Sequence, residues 1–300
     1  MEFTRSSLVK GRTAATEVLS LDLPINPLSH LIISLQGLNV TDEATLDEIL
    51  AFINKVTISQ YGKTVMSLES EDLYGLNCYL FKNRPVLYGK IATDNQARIL
   101  SLIVPFGRKL FNPAECFPAT RKGEFTLSLD YTLPSASIDG GLLDIEAVEL
   151  PGASPERYLK ATTLTVTAPG ATGDHDVDLP IGNDILAIQE RMTTFPAASS
   201  LTFGINESKI LVDNKETFYL GNKACSLLGD MINRIDTQHG TLAAQGSILP
   251  LNILWLDFDP AGDSNYLLKT SGRSSVKIRL NMGVDEASYL SLFELVNVGT

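Results

Sequence analysis

The residues best suited to chemistry in this chain are carboxylates in turns. Asp257-Phe258-Asp259-Pro260-Ala261-Gly262-Asp263-Ser264-Asn265 places three of them in a Gly/Pro loop. Ca²⁺ takes about six to eight oxygen ligands at flexible spacing, which makes Asp257, Asp259 and Asp263 candidate calcium ligands. The loop lacks the closing glutamate of an EF-hand and carries Pro260, so a solvated turn is the plainer reading. Asp174, Asp176 and Asp178 alternate, which suits a weak cation site or, more simply, the wet face of a strand or turn. Glu146 with Glu149, or Glu69 with Glu71 and Asp72, have the chemistry of a glycosidase pair, which needs two carboxyls facing each other across a cleft. A lone Trp255 and 7% aromatic residues offer little for stacking on sugars. Trp255, between Leu254 and Leu256, reads as a core or interface residue.

His30, His175 and His239 lie far apart, and none sits in a metal-ligand pattern. There is no GxGxxG before a helix, no Walker loop, no GxSxG and no HExxH. The expectation is a non-enzyme with no catalytic residue and no resident cofactor. Cys78, Cys116 and Cys225 are odd in number and show no CxxC spacing, which argues against a disulfide scaffold or structural zinc and for buried thiols.

With 24 Lys+Arg against 35 Asp+Glu, the formal net charge of −11 argues against coating nucleic acid through the whole surface, which requires neutralised phosphates. No sequence-specific nucleic-acid binding is expected. A 44% hydrophobic fraction supplies real cores, and 300 residues accommodate one large domain or two ordinary ones. No run approaches the ~20 apolar residues of a membrane span. The N-terminal stretch carries Arg5, Lys10 and Arg12 without an apolar centre, unlike a secretory signal. The chain is expected to stay in the compartment where it is made, or to leave by lysis.

The elements that would position these residues are mostly strands. Phe125, Leu127, Leu129, Tyr131 and Leu133 alternate with Thr126, Ser128, Asp130 and Thr132, and Val276, Ile278, Leu280 and Met282 alternate with Lys277, Arg279 and Asn281. Leu19–Leu23 and the Leu164–Val166 stretch do the same. Such period-2 patterns bury one face of an antiparallel sheet. Ile99–Val104 and Ile253–Leu256 are apolar throughout, as in strands covered on both faces. Helices are few. The spacing of Leu46, Ile49, Leu50 and Ile53 predicts one over Asp42–Lys55, capped by Thr41 or Asp42. Others are expected from Ser70 onwards and over Asn222–Ile235.

The strand pattern repeats. Leu21-Asp22-Leu23-Pro24-Ile25 returns as Val177-Asp178-Leu179-Pro180-Ile181 (178 − 22 = 156). Glu71-Asp72-Leu73-Tyr74 has a counterpart in Glu216-Thr217-Phe218-Tyr219 (216 − 71 = 145). Leu127–Tyr131 matches Ile278–Met282, and Glu149-Leu150 matches Glu294-Leu295. Four matches in the same order, spaced by about half the chain, point to a duplicated domain. Pro151-Gly152-Ala153-Ser154-Pro155 reads as the linker. The domains expected are an N-terminal arm over 1–13, a first eight-stranded sandwich over 14–152 and a second over 153–300. Eight antiparallel strands in two facing sheets make a jelly roll, so the fold class is all-β with a few short helices, as two tandem jelly-roll β-sandwiches.

The stretches VTISQYGKTVMSLESEDLYGLN (56–77), LIVPFGRKL (102–110) and GEFTLSLDYTLP (123–134) resemble the first roll of the double jelly-roll major capsid proteins of tailless icosahedral membrane-containing bacteriophages. The resemblance implies a structural virion protein made in the host cytoplasm. It implies a homotrimer whose six rolls make a pseudo-hexagonal tile contacting neighbouring trimers and other virion proteins. It also implies that Arg5, Lys10 and Arg12, in a segment of net charge +2, approach an internal membrane. Arg108 reads as an interface ion-pair partner or, more simply, a surface turn residue. Two alternatives stay open on the residues alone: a carbohydrate- or receptor-binding β module such as a spike or lectin, and a jelly-roll glycoside hydrolase.

Overall fold

A computed structural model describes residues 2–13, 15–40, 44, 46–82, 85–88, 95–132, 136–168, 170–193, 202–223, 239–240, 249–250 and 253–299. The chain divides into two compact units. One comprises Met1–Thr162 with Asn297–Thr300, and the other contains Thr163–Thr241 and Ser247–Val296.

The first unit contains β1 (Thr4–Thr13), β2 (Glu17–Asp22), β3 (Leu28–Asn39), α1 (Leu46–Leu50), β4 (Ile53–Gln60), β5 (Lys63–Leu68), α2 (Ser70–Phe81), β6 (Val86–Tyr88), β7 (Ala97–Pro105), β8 (Phe125–Tyr131) and β9 (Ile138–Glu149). One sheet runs β1-β9-β3-β7-β6, and the other has the order β2-β8-β4-β5. The strands alternate as their sequences require. Phe125, Leu127, Leu129 and Tyr131 of β8 are buried, as are Leu31, Ile33 and Leu35 of β3. These faces line one core.

The second unit starts within β10 (Arg157–Val166) and contains β11 (Gly173–Asp178), β12 (Asp184–Met192), β13 (Thr202–Val212), β14 (Lys215–Lys223), β15 (His239–Gly240), β16 (Leu249–Pro250), β17 (Ile253–Asp257), β18 (Leu268–Lys269), β19 (Val276–Met282) and β20 (Ser288–Asn297). Its sheets are β10-β20-β12-β17 and β11-β19-β13-β14. With β10, β11, β12, β13, β14, β17, β19 and β20 taken for β1, β2, β3, β4, β5, β7, β8 and β9, both units have one jelly-roll order. The duplication is therefore a property of the fold.

Three expectations change on the structure. The segment expected as an arm forms β1, paired with β9 from Thr4↔Glu149 to Thr13↔Leu142. It is the first strand of the first roll, and it escapes the alternation test because most of its side chains are exposed. The helix expected over Asp42–Lys55 is, among the described residues, the five-residue α1. The Phe52 N–H closes its turn on the Ile49 carbonyl (3.2 Å), and Ile53 then opens β4. Ile53, Val56 and Ile58 are buried, as the strand's β-branched residues favour. Glu216–Tyr219 lies in β14, whereas Glu71–Tyr74 lies in α2, so that one match of the four joins unlike elements. The helix expected over Asn222–Ile235 begins in β14 and otherwise falls outside the described residues, as does Cys225.

The division between units falls at Thr162/Thr163, beyond the Pro151–Pro155 segment. The intervening residues pack on the first roll. The Leu159 N–H bonds the Phe106 carbonyl (2.9 Å), and Ala161 and Thr162 pair in parallel with Met66 and Ser67 of β5. Tyr158 meets Phe117 edge-on at 4.9 Å, and Phe117 itself stacks on Phe125 at 3.9 Å.

Candidate functional site

Three connections lace together at one end of the first roll. The Tyr61 N–H of the β4–β5 turn bonds the Glu124 carbonyl (2.9 Å), Thr120 N–H bonds the Ile25 carbonyl of the β2–β3 turn (2.9 Å), and Leu23 N–H bonds the Phe125 carbonyl (2.8 Å). The second roll repeats the pattern with Asp213 N–H on the Ser275 carbonyl and Leu179 N–H on the Val276 carbonyl, both 2.9 Å. The long β7–β8 connection (106–124) thus closes its end as 258–275 closes the other.

Each roll carries the same internal clamp beside this end. Asn26 Nδ2 donates to Glu149 Oε2 (2.8 Å), and Asn183 Nδ2 donates to Glu294 Oε1 (2.9 Å). Both glutamates are buried at the close of the last strand of their roll. The repeated Glu-Leu pairs and the two Leu-Pro-Ile turns therefore hold two ends of one interaction.

The Pro-Phe-Gly-Arg turn organises a buried carboxylate. Arg108 Nε donates to Glu115 Oε2 (3.0 Å), its terminal nitrogen also meets Glu115 Oε1, and Arg157 closes on the same oxygen at 2.7 Å. Burial pushes the Glu115 carboxyl up, but the hydrogen bonds and charge of Arg108 and the charge of Arg157 hold it below the usual range. Gly107 is required by space: a Cβ there would stand 2.1 Å from the Glu115 carbonyl oxygen. Arg108 is thus an internal anchor, and Arg157 ties the segment after the linker to it. Asn77, at the end of the 56–77 stretch, does similar work. Its amide donates to the carbonyls of Leu73 (2.9 Å) and Ile103 (2.6 Å) and accepts from the Ile103 N–H (2.8 Å), docking α2 on β7. A buried asparagine in an otherwise apolar helix face was the available signal.

The acidic residues singled out by type are occupied within the fold. Asp257 accepts the Asp259 N–H (2.8 Å), Asp259 accepts the Ser264 N–H (2.8 Å), and Asp263 accepts the Asn265 N–H (3.0 Å). Each thereby shapes its turn. Asp174, Asp176 and Asp178 stand directly opposite Asn281, Arg279 and Lys277. Asn281 donates to Asp174 (2.5 Å), Arg279 forks onto Asp176 (2.6 and 2.9 Å), and Lys277 lies 3.6 Å from Asp178. The hydrogen bonds of Arg279, reinforced by its charge and that of Lys277, outweigh slight burial and lower the pKa of Asp176. Among the described residues, no three His, Cys, Asp or Glu side chains are placed to hold a metal ion. Glu146 pairs with Arg5, and Glu149 also accepts from Ser6 (3.0 Å). Glu69 precedes α2, while Glu71 and Asp72 lie in its first turn.

His30 is buried, with Nδ1 2.9 Å from Ser29 Oγ and its ring edge-on to Phe111. Burial, with some help from the Arg5 charge, pushes its pKa down to about 4. His175 is half-buried beside the Ala171 carbonyl in the other unit. Only the backbone of His239 is described, in β15. Burial raises the Cys78 thiol to about 12 and the Cys116 thiol to about 11. Trp255 is buried and stacks on Phe293 at 5.2 Å. Of the N-terminal cations, Arg5 pairs with Glu146 and Arg12 with Glu17 at 2.9 Å.

No protein-family model matches the sequence, and no curated protein matches it. Solved structures do match. The major capsid protein of bacteriophage PM2 aligns at TM-score 0.66 and 15% identity, over 99% of this chain and 98% of that one. The capsid protein of Sulfolobus Turreted Icosahedral Virus aligns at TM-score 0.72 and 14% identity, over 99% and 98%. The PBCV-1 capsid protein aligns at TM-score 0.63 and 10% identity, over 98% and 94%. The chain therefore has the double jelly-roll fold, the one seen in these viral coat proteins.

Proposed function

We propose that this chain is a major capsid subunit, a structural protein of a virion. Three copies, each with two rolls, would place six similar units about one axis and form a pseudo-hexagonal tile of an icosahedral shell. The observation that carries this reading is one eight-strand order used twice in 300 residues, with nearly the whole chain matching viral coat proteins. Such a role needs stiff sandwiches and side contacts, and the carboxylates and arginines described above serve internal bracing. The role is structural and needs no cofactor. Its partners are further copies of the chain and other virion proteins, and it would be made in the host cytoplasm and act in the virion.

Size-exclusion chromatography with light scattering tests the proposal. The expected mass is three times the 32.6 kDa of one chain, with hexagonal plates in negative-stain micrographs. A monomer at every concentration, forming no plates or shells, overturns it.

A further inference from the structure

We propose that the laced end of the first roll is a docking surface for an anionic lipid bilayer. Tyr61, Phe111 and Ile25 would enter the headgroup region, and Lys109, Arg121 and Lys122 would meet phosphates. This inference rests on the chemistry of the first roll and stands independently of the capsid reading.

The first observation is exposure. Tyr61 is 66% exposed, Phe111 48% and Ile25 51%. Phe3, also exposed, packs edge-on against Phe111 at 5.3 Å, extending the aromatic surface to the start of β1.

The second is conformational. Tyr61 has φ 51° and Phe111 has φ 61°. Bulky side chains rarely occupy this left-handed region, which glycine, asparagine and aspartate tolerate better. Strained residues that persist on a surface point to function. The second roll supplies the control: among its described residues, the non-glycine residues at positive φ are Asp213, Asn214 and Ser264, all small and polar. The same two-residue hairpin turn that reads Asp213-Asn214 there reads Tyr61-Gly62 here.

The third is charge. Residues 106–124 contain Arg108, Lys109, Arg121 and Lys122 against Glu115 and Glu124, and Glu115 is buried under Arg108 and Arg157. Glu124 accepts from the Tyr61 hydroxyl and the Arg121 N–H and keeps its charge 4.0 Å from the Arg121 guanidinium, so the segment's excess is two cations, with Lys109 and Lys122 both exposed. The equivalent 258–275 segment has two acids, Asp259 and Asp263, and two cations, Lys269 and Arg273. Its end also exposes Ile181 and Tyr266, but without a cation excess. In a chain of net charge −11, this end joins aromatic rings to an excess of cations. That is the composition of an interfacial lipid contact, where amphipathic rings sit at headgroup level and each cation adds attraction to anionic lipid. A nucleic-acid backbone would use the cations but leave the isoleucine and phenylalanine surface in water.

Cosedimentation of the full chain with phosphatidylcholine–phosphatidylglycerol vesicles is the test. The chain should bind these vesicles, ignore pure phosphatidylcholine, and release as salt rises. Lys109→Gln or Lys122→Gln should each weaken binding about fivefold. Tyr61→Asn and Phe111→Asn should each weaken it about tenfold, while melting no lower than the parent, because asparagine accommodates the left-handed backbone. Tyr266→Asn should leave binding unchanged. The proposal is overturned if the parent ignores anionic vesicles, if it prefers a duplex DNA fragment to them, or if Tyr266→Asn is as damaging as Tyr61→Asn. Vesicle binding without trimers would remove the capsid reading alone, and trimers without vesicle binding would remove this one.

Discussion

The two rolls share a skeleton and differ in what they present on the same sheet. In the first, Ser20, Ser128, Thr57 and Ser67 stand opposite one another across β2-β8-β4-β5, a row of small hydroxyls. In the second, the corresponding sheet carries Asp176 opposite Arg279 and Arg279 opposite Lys209. Lys209 lies 3.5 Å from Glu207 and 3.9 Å from Glu216. The strand order, the asparagine–glutamate clamp and the lacing of the turns are common to both. Interior bracing is thus what both copies need, and the outer faces are free to diverge because exposed pairs contribute little to stability.

That division can be broken by mutation, read separately in each roll by amide hydrogen exchange. The largest effect is expected from Glu115→Ala, which strands Arg108 and Arg157 and should cost about 3–5 kcal/mol, lowering protection in the first roll. Acid should act on the same roll. Because the folded-state pKa of His30 is depressed to about 4 from 6.5, its contribution is whole above about pH 6.5 and declines as pH falls towards 4. The loss should be on the order of 3 kcal/mol. Urea midpoints at the two ends of that window should differ less for His30→Gln than for the parent. Next, Asn26→Ala and Asn183→Ala should cost similar amounts, about 1–3 kcal/mol each, by leaving a buried glutamate short of a donor. A large difference between them would mean that the clamps are not equivalent. The smallest effect is expected from Asp176→Asn on the outer ladder, about 0.2–1 kcal/mol and shrinking with salt in urea titrations.

Much of this was legible in the residues. The alternation in Phe125–Tyr131 and Val276–Met282 gave β8 and β19 nearly residue for residue, because one wet and one buried face leaves a period of two. β1 left no such mark, since an edge strand with mostly exposed side chains resembles a loop. The spacing of Leu46 to Ile53 fitted a helix because a short helix followed by a strand can place the same four residues inward. Glu71–Tyr74 and Glu216–Tyr219 agree in letters and differ in structure, whereas Glu149 and Glu294 agree in both. The clamp that explains the second match depends on partners 123 and 111 residues away, a separation local patterns do not carry. The Asp174–Asp178 run was likewise ambiguous until β19 supplied its cations.

The position of β1 has a practical consequence. Glu2 and Phe3 lead into it beside Phe111. An affinity tag or fluorescent fusion joined ahead of Glu2 would therefore emerge over the aromatic, cation-rich end of the first roll. Recombinant material should be cleaved at that junction before any surface measurement, or the appended peptide will mask the face under study.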